Sequence, residues 1–337
     1  MRGGKRVWVH IGLPKCGSTS IQRYFAEHYD HYMRYGLCYP KAHRSLGGHH
    51  SHLPIARANS SDLPKIVQDI SSEAREASNI LISCEDFSNS LPEGQAKNLV
   101  KQLNRAFGAE SVFVISYFRN VYQFVESSFA QFILGGLFRI NRGEFFSTGA
   151  PPSIGKFLDV FARSKDFPLY SLSEYAKLIR GSFPENRVIL KSIESNDLQN
   201  SGLVEDLCQM IGVDPLQRIG VQNKRISNQK LAMFLYAQSI VSQSEFNLAQ
   251  HQLRKLDVPT QIAKNPLPFR NKDICLDVEL HNLVKECIST EISALRELFA
   301  SGVEGLCEDR WTPLVSRSEL NDYDRRYVRE LLRSCLG

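Results

Sequence analysis

Residues 8–25 read Trp8-Val9-His10-Ile11-Gly12-Leu13-Pro14-Lys15-Cys16-Gly17-Ser18-Thr19-Ser20-Ile21-Gln22-Arg23-Tyr24-Phe25. The apolar run Val7, Trp8, Val9 and Ile11 predicts a buried strand. Gly12, Pro14 and Gly17 then break it into a tight loop, and Ser18, Thr19 and Ser20 open an amphipathic helix carrying Ile21, Tyr24 and Phe25. A strand, a small-residue loop with one lysine and a hydroxyl-rich helix start together make an anion cradle. Backbone N–H groups of such a loop converge on the anion, and the dipole of the helix start adds positive potential. Lys15 supplies a point charge, while Ser18 and Thr19 supply short hydroxyl donors. The plainer reading of the same residues is a glycine turn that leads into a core helix.

Downstream, Asn79 to Phe87 predicts a second buried strand ending in two acids, Glu85 and Asp86. A helix from about Leu63 to Ala77 precedes it, and another around Gln95 to Phe107 follows. Ser111 to Phe118 predicts a third strand, which ends in Arg119 and runs into a helix carrying Val121, Phe124, Val125, Phe129, Phe132 and Ile133. Open parallel sheets place ligands outside the carboxyl ends of their strands, which is where Glu85 and Asp86 fall. Further helices are expected over Ser153–Arg163, Ser171–Arg180 and Leu203–Ile211, with a fourth strand over Arg187–Ile193. Leu134 to Pro152 reads as a loop belonging to an acceptor pocket or lid, and Tyr35 to Ser61 as irregular. From Ser227 the pattern is helical: Ser227–Ser244, Asp277–Phe299 and a short helix near Arg325–Leu332. The expected fold class is α/β with a central parallel sheet and right-handed crossovers. It is read as one domain over 1–337, with an α/β core over 1–220 and a mainly helical part over 221–337.

Composition narrows the partners. An apolar content of 42% with 23% charged residues indicates a soluble globular chain. The net charge of +5 suits an anionic cofactor and is too small to indicate nucleic acid. No stretch reaches the apolar length of a membrane span, and no signal-peptide apolar region follows the basic start Met1–Arg6. The eight cysteines form no CxxC pair, and Cys16 and Cys84 fall in an anion loop and an apolar strand. Reduced thiols in a cytoplasmic compartment are the expectation. His49, His50 and His52 are close together, but no cysteine or carboxylate cluster accompanies them, so they are read as a substrate-side loop and no metal site is assigned.

Lys15 stands two residues before Gly17, whereas the Walker A pattern G-x-x-x-x-G-K-[ST] puts lysine directly after glycine. The arrangement Pro14-Lys15-Cys16-Gly17-Ser18-Thr19-Ser20 resembles the 5′-phosphosulfate loop of PAPS-dependent sulfotransferases, PAPS being 3′-phosphoadenosine-5′-phosphosulfate. Arg119 with Ser127, eight residues apart, resembles the family's 3′-phosphate element, in which an arginine fork and a helix-borne hydroxyl grip phosphate oxygens. The resemblance covers the first 135 residues well and the rest loosely. It implies a P-loop-type three-layer αβα fold and a bacterial or carbohydrate-type enzyme. Glycan sulfotransferases of the secretory pathway usually carry an N-terminal membrane anchor, so the expectation here is a bacterial-type enzyme or a trimmed chain. The cofactor is then PAPS, the product adenosine 3′,5′-bisphosphate, and no metal is required. The acceptor is a small-molecule or glycan hydroxyl or amine.

The roles implied by that resemblance are these. Lys15 serves the oxygen bridging sulfur and phosphorus, where charge grows as the bond breaks. Lys15, Cys16, Gly17, Ser18, Thr19 and Ser20 hold the 5′-phosphate, and Arg119 and Ser127 the 3′-phosphate. Lys224 and Arg225 stand where family members close a loop over the nucleotide, although they lack the glycine-rich form of that loop. They read equally well as a solvated basic turn. Glu85 is the expected general base, with His50 in reserve and His49 and His52 remaining open; alternatively Glu85 is a capping or ion-paired acid. The competing enzyme class is a P-loop kinase with ATP and Mg²⁺, using Glu85 or Asp86 as metal carboxylate. The lysine position and the arginine after the third strand argue against it. A nucleotide-sensing or scaffold protein is the non-enzymatic alternative.

Overall fold

The structure is a computed structural model that describes residues 4–45, 51–89, 91, 94–135, 153–198, 202–216, 228–255, 278–311 and 322–336. Among these residues the chain forms five strands, all in one parallel sheet. They are β1 (Arg6–His10), β2 (Leu37–Cys38), β3 (Asn79–Ser83), β4 (Val112–Phe118) and β5 (Arg187–Ser192). The helices, in chain order, begin with α1 (Ser18–Glu27), α2 (Tyr29–Arg34), α3 (Leu53–Ala56), α4 (Leu63–Glu73), α5 (Asp86–Asn89) and α6 (Gln95–Phe107). Next come α7 (Val121–Gly135), α8 (Ile154–Lys165), α9 (Leu172–Ser182), α10 (Leu203–Ile211) and α11 (Asn228–Ile240). The last are α12 (Gln243–Lys255), α13 (Val278–Leu298), α14 (Glu304–Cys307) and α15 (Asp322–Leu336).

The strand order is β2-β3-β1-β4-β5. From β1 the chain goes first to the edge strand β2, returns to β3 beside β1, and then crosses to the other side for β4 and β5. The reversal point is therefore at β1, and the crevice beyond the carboxyl ends of β3, β1 and β4 is the ligand position that this topology favours. Register reinforces the alignment: Trp8 pairs with Leu81 and Phe113, and His10 with Ser83 and Ile115.

The middles of the central strands are apolar runs because both faces are covered. Val7, Val9, Ile80, Ile82, Val112 and Val114 are all buried. On the opposite face of the pleat, Trp8 stacks on Phe113 with ring centroids 4.4 Å apart. Asp206 of α10 meets both Tyr117 and Lys191 there, accepting from the Tyr117 hydroxyl at 2.7 Å. This α/β architecture, with helices packed against an all-parallel sheet, is consistent with a three-layer αβα sandwich. At the entry to β1, Lys5 Nζ donates to the carbonyls of Ala74, Arg75 and Ala77 at 2.7, 2.7 and 2.6 Å. A cation there satisfies acceptors left open at the carboxyl end of α4.

The chain divides into two compact units. The first comprises Met1–Asn120, Ser171–Gln222 and Ile288–Glu308, and contains the sheet. The second comprises Val121–Tyr170, Asn223–Cys287 and Asp309–Gly337 and is helical where described. Segment 121–170 of the expected core thus groups with C-terminal helices, while 288–308 groups with the sheet. Within the second unit His281 lies between the rings of Tyr122 and Trp311, at 5.4 and 4.3 Å, and its Nε2 sits 3.0 Å from the Asp309 carboxylate.

Several expected elements differ in extent. The strand over Arg187–Ile193 is the fifth strand, because β2 precedes β3 within a stretch expected to be irregular, which also holds the short α3. The helix expected over Ser227–Ser244 is two helices, α11 and α12, separated at Val241–Ser242. The last helix is longer than expected. Among the described residues no helix is long and apolar enough to cross a membrane.

Candidate functional site

The loop between β1 and α1 is held at its base from two sides. Ile11 N–H donates to Ile115 O at 2.9 Å, Leu13 N–H to Tyr117 O at 2.9 Å, and Gly12 O accepts from Tyr117 N at 2.7 Å and Ser116 Oγ at 3.0 Å. From the β3 side, Cys84 N–H donates to His10 O at 3.0 Å and Ser88 N–H to Ile11 O at 3.1 Å. The loop is therefore an extension of the sheet rather than a free connection.

Three positions in it have a backbone that favours glycine. Gly12 has φ 120°, Lys15 φ 65°, and Gly17, the residue capping α1, φ 82°. At Gly17 a Cβ would also lie 2.3 Å from Leu203 Cδ2, so α10 closes on the loop where no side chain stands. Left-handed geometry turns successive N–H groups toward one side, the arrangement of an anion nest. No side chain caps α1 and no acidic residue occupies its first turn. The open N–H groups and positive dipole end of α1 consequently meet no protein anion from that turn.

Lys15 is exposed at the crest of the loop, whereas Ser18 is buried and Thr19 and Ser20 are partly exposed. Cys16 is fully buried, and burial pushes its thiol up to about 12, so only its main chain can serve an anion. Arg119, immediately after β4, is half-buried and its Nη1 donates to Lys15 O at 3.1 Å. The expected arginine is therefore bonded to the same loop as the expected lysine.

Glu85 follows β3 and is partly buried. Its Oε2 accepts from Gln22 Nε2 of α1 at 2.7 Å. Its main-chain oxygen accepts from Ser88 N–H and Oγ at 3.2 and 2.8 Å, which fixes the turn into α5. The neighbouring Asp86 lies 3.8 Å from the Arg57 guanidinium, in an exposed pair.

Lys15, Cys16, Gly17, Ser18, Thr19, Ser20, Glu85 and Arg119 thus fall together beyond the carboxyl ends of three adjacent strands of the first unit. Ser127 belongs to the second unit, where its Oγ donates to Phe124 O at 3.2 Å within α7. His49, His50, Lys224 and Arg225 lie outside the described residues. His52 is described and is a structural histidine. It is fully buried, its Nδ1 accepts from Ser83 N–H at 3.1 Å, and its Nε2–H donates to Pro40 O at 3.0 Å. Burial lowers its pKa to about 4, and with both nitrogens engaged it has no lone pair for an acceptor.

Sequence reasoning missed Gln22. No local pattern announces it, because its partner lies in another crossover; only its position, one turn beyond Ser18 and Thr19 on α1, carries a hint. An open groove of about 330 Å³ in the same unit is lined by Asn196, Ile292, Glu304, Gly305, Cys307 and Glu308. Its charged lining is acidic, which does not suit a phosphorylated nucleotide, and none of the expected site residues borders it. In comparisons with protein-family models, curated proteins and solved structures, nothing matches this chain.

Proposed function

We propose that the chain is a sulfotransferase with a P-loop-type cradle, moving the sulfuryl group of PAPS to a hydroxyl or amine acceptor on a carbohydrate. The observation that carries this reading is the convergence of Lys15, Glu85 and Arg119. They stand at the ends of β1, β3 and β4, at the reversal point of a parallel sheet, beside an uncapped helix start. A lysine, an arginine and open N–H groups suit a donor with phosphate at both ends.

PAPS supplies the activated sulfuryl group when bound. The N–H groups from Gly17 to Thr19, with the Ser18 and Thr19 hydroxyls, hold its 5′-phosphate. Lys15 places an ammonium where negative charge grows on the departing phosphate oxygen. Arg119 offers a guanidinium to phosphate oxygens and braces the loop through Lys15 O. Glu85 accepts the proton of the attacking hydroxyl. As in phosphoryl transfer, positioning and electrostatics carry most of the rate, so no metal is assigned a role.

Two measurements test the reading. Calorimetric titration with adenosine 3′,5′-bisphosphate, against ATP plus Mg²⁺, separates a sulfotransferase from a kinase, since a kinase prefers the second. Radiolabelled PAPS offered with glycans, phenols and peptides then identifies the acceptor. Preference for ATP plus Mg²⁺ together with no transfer from PAPS overturns the proposal.

A further inference from the structure

We infer that Gln22 is the positioning residue of Glu85, so that α1 carries the phosphate cradle at its start and the orientation of the general base one turn later. The inference rests on the sulfotransferase reading for the role of Glu85, but its geometry stands independently. Gln22 is 5% exposed, with its amide nitrogen 2.7 Å from Glu85 Oε2. An ionised carboxylate only accepts hydrogen bonds, so the amide must present its N–H₂ side to it. Among the described residues Glu85 Oε1 makes no hydrogen bond, and it is the oxygen left for the acceptor.

Physical reasons favour this division of labour. The main chain of Glu85 is fixed by Ser88, but its side chain has three rotatable bonds, and the last of them is broad and two-fold. One directional donor at Oε2 removes that freedom and turns Oε1 outward. Glutamine does this without charge, whereas a lysine or arginine at that distance holds a carboxylate in its charged form and costs it basicity. Because Gln22 stands four residues after Ser18 and three after Thr19, it lies one helical turn along the same side of α1. The span between the phosphate cradle and the base is then set by a single rigid helix, which is what an in-line displacement needs. In that step the acceptor oxygen bonds to sulfur and its proton passes to Glu85 Oε1. The sulfur–oxygen bond to the 5′-phosphate breaks, and its electron pair leaves with adenosine 3′,5′-bisphosphate.

The test uses Gln22→Met, which keeps side-chain length and removes the donor, in the full chain. Expected is a fall in kcat of about 10- to 100-fold, the range for losing a hydrogen bond to a charged group. The KM for PAPS, the Kd for adenosine 3′,5′-bisphosphate and Tm should change little, which a packing role does not predict. Gln22→Met added to Glu85→Ala should cost nothing further, since the two act as one unit. A crystal structure of Gln22→Met should show the Glu85 carboxylate in a different rotamer or in several. Full kcat in Gln22→Met, additive losses in the double variant, or an unchanged single Glu85 rotamer overturns the inference. Absence of transfer by the wild-type protein overturns the functional reading instead, and the Glu85 rotamer then decides the role of Gln22.

Discussion

The Arg119 guanidinium is bonded to the main chain of Lys15, Nη1 to O at 3.1 Å, across 104 residues of sequence. Arg119 directly follows β4 and Lys15 stands in the loop after the adjacent β1, so the sheet itself brings them together. Lys15 is held in a left-handed conformation that costs an L-residue roughly 1–2 kcal/mol. A charged donor on its carbonyl is one of the contacts that offsets that cost. Arg119 therefore shapes the loop, and this role has a different signature from the charge it is proposed to offer a ligand.

Removing the guanidinium should weaken nucleotide binding. Arg119→Ala is expected to raise the Kd for adenosine 3′,5′-bisphosphate by about 10- to 100-fold, the range for losing a charge-assisted hydrogen bond. Arg119→Lys should recover little of it, because an ammonium is a point charge and not a planar fork. Calorimetry on the three proteins checks this, and an unchanged Kd in Arg119→Ala contradicts the assignment.

Lys15 should separate from Arg119 in kinetics. Its exposed ammonium is assigned to charge that appears mainly as the bond to sulfur breaks, so Lys15→Ala is expected to lower kcat by about 100- to 1,000-fold. The Kd for the bisphosphate product should change by less than about tenfold. A variant with full kcat and poor binding would mean that Lys15 grips the ground state only.

At Gly17 two independent penalties meet. The backbone at φ 82° disfavours any Cβ, and the nearest atom to that Cβ is Leu203 Cδ2 at 2.3 Å. Gly17→Ala is expected to destabilise the protein by roughly 1–3 kcal/mol. Leu203 is only partly buried, so Leu203→Ala should itself be mild and should relieve the steric part of the Gly17→Ala loss. Urea midpoints of both single variants and the double variant measure that coupling. Strict additivity would mean that the strain is in the backbone alone.

The strand ends that carry the site were legible because β1, β3, β4 and β5 are apolar runs long enough to read. The strand β2 was not, since Leu37 and Cys38 alone show no period and their pairing with Asn79 and Ile80 depends on tertiary contact. The break between α11 and α12 did have a local signal. Ser242 N–H donates to Glu245 Oε2 at 2.6 Å and Glu245 N–H to Ser242 Oγ at 3.3 Å, the reciprocal capping box that the spacing Ser242-x-x-Glu245 encodes. Gln22 had no such signal, because its bond to Glu85 spans 63 residues. Nor did His52 reveal itself as structural, since neighbouring histidines look alike until burial separates them.

Two buried histidines give the fold a pH dependence. Burial lowers the pKa of His10 and of His52 to about 4 from the usual 6.5. His10 Nδ1 lies 2.8 Å from Ser83 Oγ, and His52 Nδ1 accepts the Ser83 N–H, so a proton on the latter nitrogen would set two donors face to face. The unfolded chain takes up these protons near pH 6.5, whereas the folded chain resists until about 4. Their contribution is therefore complete above pH 6.5 and is lost as pH falls through about 4. Between pH 7 and 5 each histidine should cost the fold on the order of 2 kcal/mol. Urea midpoints at the two pH values measure the sum, and His52→Asn should reduce the difference by about half. A midpoint that does not move between pH 7 and 5 would show that neither ring resists protonation in the folded chain.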